Sequence, residues 1–239
     1  MPYFLSDENL EIGKIVSPAE DEMGHLLLSH RVKIGEKVKL QGANKKRFLS
    51  EVVKIGKNVL QLKCLIELEL PREPQTDLVL YQAVVGEKAL DFILQKGTEL
   101  GLKKIILFNA ENSATKLSKE KFLAKKARWQ KILIEAAKQS ERAIWPELSF
   151  VATAEELKKQ LSSVPLLYLT DISGDKLLIG AKVKDIGIIV GPEGGFTTDE
   201  LGEFKAMSNV VVLGLGSILL RAETAALAAI AGIRMLFGY

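Results

Sequence analysis

Over the first 66 residues, apolar and polar positions alternate with a period near two, as in strands that bury one face. EKVKLQ, FLSEVVKI and NVLQLKCLIEL carry this pattern, and GANKKR and GKN between them supply the Gly and Asn of turns. Helical spacing is absent here apart from a short turn within Ser17–His30. A small β-barrel or β-sandwich is predicted. In ELPREPQTD, Pro71 and Pro74 forbid a regular helix and the polarity forbids burial, so a domain boundary is placed near residue 72.

After the boundary the pattern changes. LVLYQAVV, KKIILFNA, VPLLYLT, DIGIIV and NVVVLG are apolar throughout, as strands of a parallel sheet covered on both faces must be. Helical spacing separates them. Leu90, Ile93, Leu94 and Leu100 mark a helix stopped by Gly101. Phe122, Trp129, Leu133 and Ala136 share one face of a helix over Lys119–Gln139. Thr197 and Glu200 form a capping box. A last helix spans Glu223–Phe237 with Gly238 as its cap. The fold class is α/β: a β-domain over residues 1–72, then a parallel-sheet α/β domain over 73–239.

Composition narrows the classes. Hydrophobic residues make up 47% of the 239, enough for a packed core. No apolar run reaches the roughly 20 residues of a membrane helix, since Arg234 interrupts AALAAIAGIRMLF, and the N-terminus lacks a signal-peptide pattern. The single cysteine, Cys64, lies in an apolar run and reads as a core residue. A cytoplasmic location is expected. His25 and His30 are the only histidines and no cluster has metal-ligand spacing, so no metal is expected. Trp129 and Trp145 read as core or hinge packing.

The net charge of +3 hides an uneven distribution. Residues 103–142 carry eleven Lys/Arg against four Asp/Glu, and residues 30–47 carry seven against one. Two basic patches on a net-acidic remainder suggest a polyanionic partner such as RNA, with Lys45, Lys46 and Arg47 of the 30–47 patch as candidate contacts.

In open parallel sheets ligands sit outside the carboxyl ends of the strands. Three strands end in unusual loops: TDISGD, GPEGGF and LGSILLRAETA. GPEGGF lacks the Lys and Ser/Thr of a P-loop, and Glu193 would repel a phosphate laid against it. A neutral or cationic ligand with hydrogen-bonding edges fits better, with Gly194 at positive φ and Pro192 stiffening the loop. A plain tight turn is the alternative.

GPEGGF followed by LGSILLRAETAALAAI resembles the SPOUT methyltransferases, and more narrowly the family that methylates uridine N3 in small-subunit ribosomal RNA. FILQKGTELGLKKI, RWQKILIEAAKQSERAIWPEL and HLLLSHRVKIGEKVKLQG extend the resemblance, in order, over nearly the whole chain. It implies an N-terminal PUA-like β-barrel that touches RNA, a C-terminal domain tied in a trefoil knot, and a homodimer through that domain. It further implies S-adenosylmethionine at Leu169, Thr170, Gly191, Pro192, Glu193, Gly194, Gly195, Leu215, Gly216, Ile218, Leu219, Leu220 and Thr224. Pro2, Tyr3, Phe4, Ile218 and Ala222 depart from the family's usual residues, which leaves Arg31 or Arg142 to supply an RNA contact. Proton loss from the imide leaves charge on the base, and Arg221 at the mouth of the cofactor loop is the candidate to stabilise it. Glu193 is a candidate base or orienting group. Glu99 joins Arg142 as a further candidate RNA or structural residue. The competing readings are a SPOUT ribose 2′-O-methyltransferase and a non-catalytic RNA-binding ribosome-assembly factor.

Overall fold

The computed structural model describes residues 3–57, 59–175 and 183–237. Its residues form two compact units, Met1–Arg72 with Ala137–Ile144, and Glu73–Ala136 with Trp145–Tyr239. Gly238, expected to cap the last helix, lies outside the described residues.

The first unit holds a five-stranded sheet, ordered β1 (Phe4–Leu5), β3 (Lys37–Gln41), β4 (Arg47–Gly56), β5 (Val59–Leu68) and β2 (Ile15–Val16). β3, β4 and β5 coincide with the three alternating runs; β1 and β2 have only two residues each, too few to leave a periodic signal. One face buries Phe4, Val38, Leu40, Phe48, Val52, Leu60, Leu62 and Cys64. Burial raises the Cys64 thiol pKa, consistent with a packing role. The expected turn near residue 17–30 is a short helix, α1 (Glu20–Gly24), running into a π-helical turn, His25–Ser29. The rings of His25 and His30 lie 5.0 Å apart, and His30 lies 5.2 Å from Phe4.

Residues 137–144 belong to this unit, and their contacts correct two assignments. Arg47 is not a surface phosphate contact: only 2% exposed, its guanidinium lies 3.7 Å over the Tyr3 ring. It donates to Gln41 Oε1 at 2.9 Å and to the Arg142 carbonyl at 3.1 Å. Arg142 is buried as well, and its carbonyl also accepts from the Tyr3 hydroxyl at 2.7 Å. Both arginine side chains are buried within the unit rather than displayed on its surface. Lys138, counted in the second basic patch, is likewise buried, with its ammonium 2.7 Å from Glu22.

The second unit is built on a six-stranded parallel sheet, ordered β11 (Val210–Leu213), β9 (Leu166–Asp175), β10 (Asp185–Val190), β6 (Asp77–Ala83), β7 (Lys104–Phe108) and β8 (Glu147–Val151). Alternate residues of the inner strands enter different cores. Leu80, Ile105, Leu107, Ile186 and Ile188 pack on one face with α2 (Glu87–Glu99), α3 (Lys119–Gln139) and α6 (Ala222–Phe237). Tyr81, Ile106, Phe108, Leu167 and Ile189 pack on the other with α4 (Ala154–Ser162) and α5 (Thr198–Lys205). This double burial is why these strands read as unbroken apolar runs. β11 is the exception: it is an edge strand, and Val211 is 38% exposed.

Three further differences have physical causes. β8 and α4 do not stand out in the apolar pattern, because each buries only two residues: Leu148 and Val151, and Leu157 and Leu161. TDISGD is not a loop but the continuation of β9, whose Asp175 pairs with Leu213 of β11 after a register shift. Gly174 permits that approach, since a Cβ there would collide with the Leu213–Gly214 backbone. Finally, Trp145 is not core packing; it is 39% exposed.

Candidate active site

The carboxyl ends of β9 and β10 open onto a cleft of about 250 Å³. Its walls come from three chain segments: Thr170–Ile172 within β9, just past its pairing with β10, Val190–Phe196 at the end of β10 and beyond, and Leu215–Ala222 from the loop after β11 to the start of α6. These include the three strand-end stretches picked out by sequence. Of the expected cofactor residues, Thr170, Gly191, Pro192, Glu193, Gly195, Leu215, Gly216, Ile218, Leu219 and Leu220 line the cleft. Leu169 is fully buried in the core beneath it, and Thr224 is exposed on α6 outside it.

Gly194 also stands outside the lining, and it is not the residue at positive φ. That residue is Gly195, at φ +71°, joined by Gly216 at +107°. Gly194 instead faces Asn112: a Cβ on it would lie 3.1 Å from Asn112 Cβ. Asn112 Nδ2 donates to the Gly194 carbonyl at 3.3 Å, and the Glu111 amide donates to Glu200 at 2.8 Å. The loop after β7 thus braces the glycine loop and the capping box of α5, in which Thr197 accepts from Glu200 N at 3.2 Å. From inside the sheet, the buried Gln82 Nε2 lies 3.4 Å from the Gly191 carbonyl. The loop is held at both ends, which suits it to binding rather than to linkage.

Glu193 is engaged by a group that sequence reading missed. Its Oε1 accepts the Gly86 amide at 2.8 Å, where Gly86 is the N-cap residue of α2. The carboxylate so placed satisfies a free amide of the helix start and complements the helix dipole. It pins the glycine loop to the start of α2, an orienting contact. The order strand, Gly86, helix was visible in VVGEKAL, but nothing in the sequence places it opposite Glu193.

Beside the cleft lies a second, wider hollow of about 670 Å³, bounded by Gly86–Ala89 at the start of α2 and by Leu219–Glu223. The two hollows share Glu193, Leu219, Leu220 and Ala222, whereas Arg221 lines only the wider one. Arg221 is exposed, and among the described residues it forms no ion pair with Glu223 or any other carboxylate. Lys88 lines the same hollow. Among the described residues no group of three or more His, Cys, Asp or Glu is placed to hold a metal ion. The inner cleft offers bare glycine backbone beside apolar Ile172, Leu215 and Leu220, which fits a ligand with a flat apolar body and hydrogen-bonding edges.

The remaining candidates are dispersed. Arg31 and Lys45 are exposed at positive φ, and Lys46 pairs with Glu67 at 3.2 Å. Glu99 holds Lys96 at 2.7 Å on α2. On α3, Lys125 and Arg128 are bound to Glu87 and Asp91 of α2, so part of the second basic patch is neutralised internally.

The family model described as RNA methyltransferase domain matches residues 71–234. A protein from Rickettsia conorii named ribosomal RNA small subunit methyltransferase E is 31% identical, over 98% of this chain and 94% of its own. Its namesake from Bacillus subtilis is 28% identical over 96% and 93%. The crystal structure of a ribosomal RNA small subunit methyltransferase E from Neisseria gonorrhoeae, bound to S-adenosyl methionine, superposes with a TM-score of 0.87 at 28% identity, covering 99% of this chain and 98% of that one. No described helix is long and apolar enough to cross a membrane.

Proposed function

Because the chain belongs to the RNA methyltransferase domain family, we propose that it methylates N3 of a uridine in 16S ribosomal RNA of the small ribosomal subunit, using S-adenosylmethionine. The observation that carries this reading is the pair of adjoining hollows, the inner one suited to the cofactor and the outer one holding Arg221. Bound in the inner cleft, S-adenosylmethionine supplies an electrophilic methyl group. Gly195 and Gly216 let the backbone approach the cofactor closely, and Ile172, Leu215 and Leu220 cover its apolar body. The target base, turned out of its stack, enters the outer hollow. There the Arg221 guanidinium would face the uridine carbonyl oxygens and stabilise the charge left as the N3 proton passes to water, while N3 takes the methyl group as its bond to the sulfonium sulfur breaks and a neutral thioether leaves. Glu193 keeps the glycine loop and the start of α2 in register across the junction, so the two ligands meet at a fixed separation.

The same resemblance supports a trefoil knot in the second unit, where Gly174 lets the chain lie close against the Leu213–Gly214 backbone. It also supports a PUA-like barrel in the first, and action in the cytoplasm. Arg221 provides the test. Arg221→Ala should bind S-adenosylmethionine as the wild type does by calorimetry, while its rate at saturating RNA falls about 10²-fold or more. Loss of cofactor binding would assign Arg221 to the cleft wall instead. Loss of RNA affinity alone would make it an anchor.

A further inference from the structure

A groove of about 490 Å³ lies between α3 and the edge strand β8 of the second unit. It is separate from the two hollows, with no lining residue in common. Its base is apolar, formed by Phe122, Leu148 and Phe150. Leu123 and Trp145 stand at its sides, 59% and 39% exposed. Among the described residues no aromatic ring or cation packs on the Trp145 indole, which leaves part of an aromatic surface open beside the hollow.

The cations of α3 divide into paired and unpaired ones. Lys125 and Arg128 of α3 are paired with Glu87 and Asp91. Lys119 and Lys126, seven residues apart and so on one face, line the groove, and neither forms an ion pair among the described residues. The one carboxylate in the lining, Glu147, is paired with Lys104 at 3.2 Å.

A half-exposed indole beside two lysines without ion pairs, one of them, Lys126, 5.8 Å from the Phe122 ring, is the chemistry that takes an unpaired nucleotide. We propose that this groove binds a single-stranded segment of the RNA substrate, with a base stacked on Trp145 and its flanking phosphates at Lys119 and Lys126. A protein helix would fill the apolar base of the groove but would leave the lysines unused. The inference rests on the reading of the chain as an RNA-modifying enzyme. β8 lies three strand positions from β10, on the order of 14 Å, so RNA held here is gripped apart from the nucleotide being modified.

The test uses the full chain, a protein-free 16S ribosomal RNA transcript and small subunits lacking the modification. Trp145→Ala should weaken binding of the transcript about tenfold and raise KM for the subunit by a similar factor. The saturated rate and the affinity for S-adenosylmethionine should stay unchanged, and Trp145→Phe should restore most of the loss. Lys119→Ser with Lys126→Ser should flatten the salt dependence of transcript binding by about 0.7 per lost contact. Wild-type affinity for the transcript in both the Ala and the double Ser variants, shown folded by circular dichroism, overturns the proposal. So does a defect seen with subunits but not with free RNA, which would point to a ribosomal protein in the groove. A changed sedimentation coefficient in place of an RNA defect would mean that a second copy of the chain sits there. Wild-type methyl transfer is measured in parallel. If it is absent while Trp145-dependent RNA binding persists, the proposed reaction fails and the groove stands.

Discussion

Two glycines of the second unit show how the same residue type serves different ends. Gly195 needs its φ of +71° but has open space where a side chain would go. Gly187 has ordinary backbone, yet a Cβ there would collide with Leu167 Cδ2 and lie 3.2 Å from Tyr81 inside a closed core. Gly195→Ala should therefore strain only the loop, at about 1–2 kcal/mol, and lower S-adenosylmethionine affinity. Gly187→Ala should cost about 1–3 kcal/mol of overpacking and leave affinity unchanged in the folded protein. Paired thermal denaturation and calorimetry separate the two; equal loss of affinity in both would make the loop geometry irrelevant. The sequence marked GPEGGF as special because glycines and proline cluster there. It assigned the positive φ to Gly194, one residue early, because consecutive glycines are interchangeable until the fold places Asn112 beside one of them.

At the level of elements, the basic run KKR divides into residues with opposite duties. Lys45 and Lys46 are exposed, whereas Arg47 begins β4 with its guanidinium buried against Tyr3 and Gln41. Arg47→Ala would strand Gln41 Oε1 and the Glu141 carbonyl and leave the Arg142 carbonyl only its bond from Tyr3, and it should destabilise the protein by about 2–4 kcal/mol in urea unfolding. Lys45→Ser with Lys46→Ser should stay within about 0.5 kcal/mol of wild type, while weakening RNA binding and its salt dependence. If Arg47→Ala is as stable as wild type and loses RNA affinity, the buried assignment is wrong. Local charge reads the same for all three residues. What separates them is a contact to residues 141 and 142, nearly a hundred positions away, which periodicity does not encode. The long strands and α3, by contrast, were legible because their period repeats over many residues.

For the whole molecule, the strand-and-helix alternation gave the parallel sheet and the strand ends that form the cleft, since both follow from which residues must be buried. Membership of residues 137–144 in the first unit was not legible, because a helix crossing between units has no break in its pattern. In the second unit, Ile218 and Leu219 of the candidate cofactor loop are 77% and 85% exposed, and Met235 near the far end of α6 is 83% exposed. We propose that a second copy covers part of this apolar surface through residues 73–239. Sedimentation should find a dimer at micromolar concentration, and a monomer would count against it. The reaction itself is tested most directly by mass mapping of nucleosides in 16S ribosomal RNA from a strain lacking this chain. The predicted result is loss of one 3-methyluridine, restored by the wild-type chain and not by Arg221→Ala. An unchanged 3-methyluridine content, or loss of a ribose 2′-O-methyl group in its place, would contradict the account.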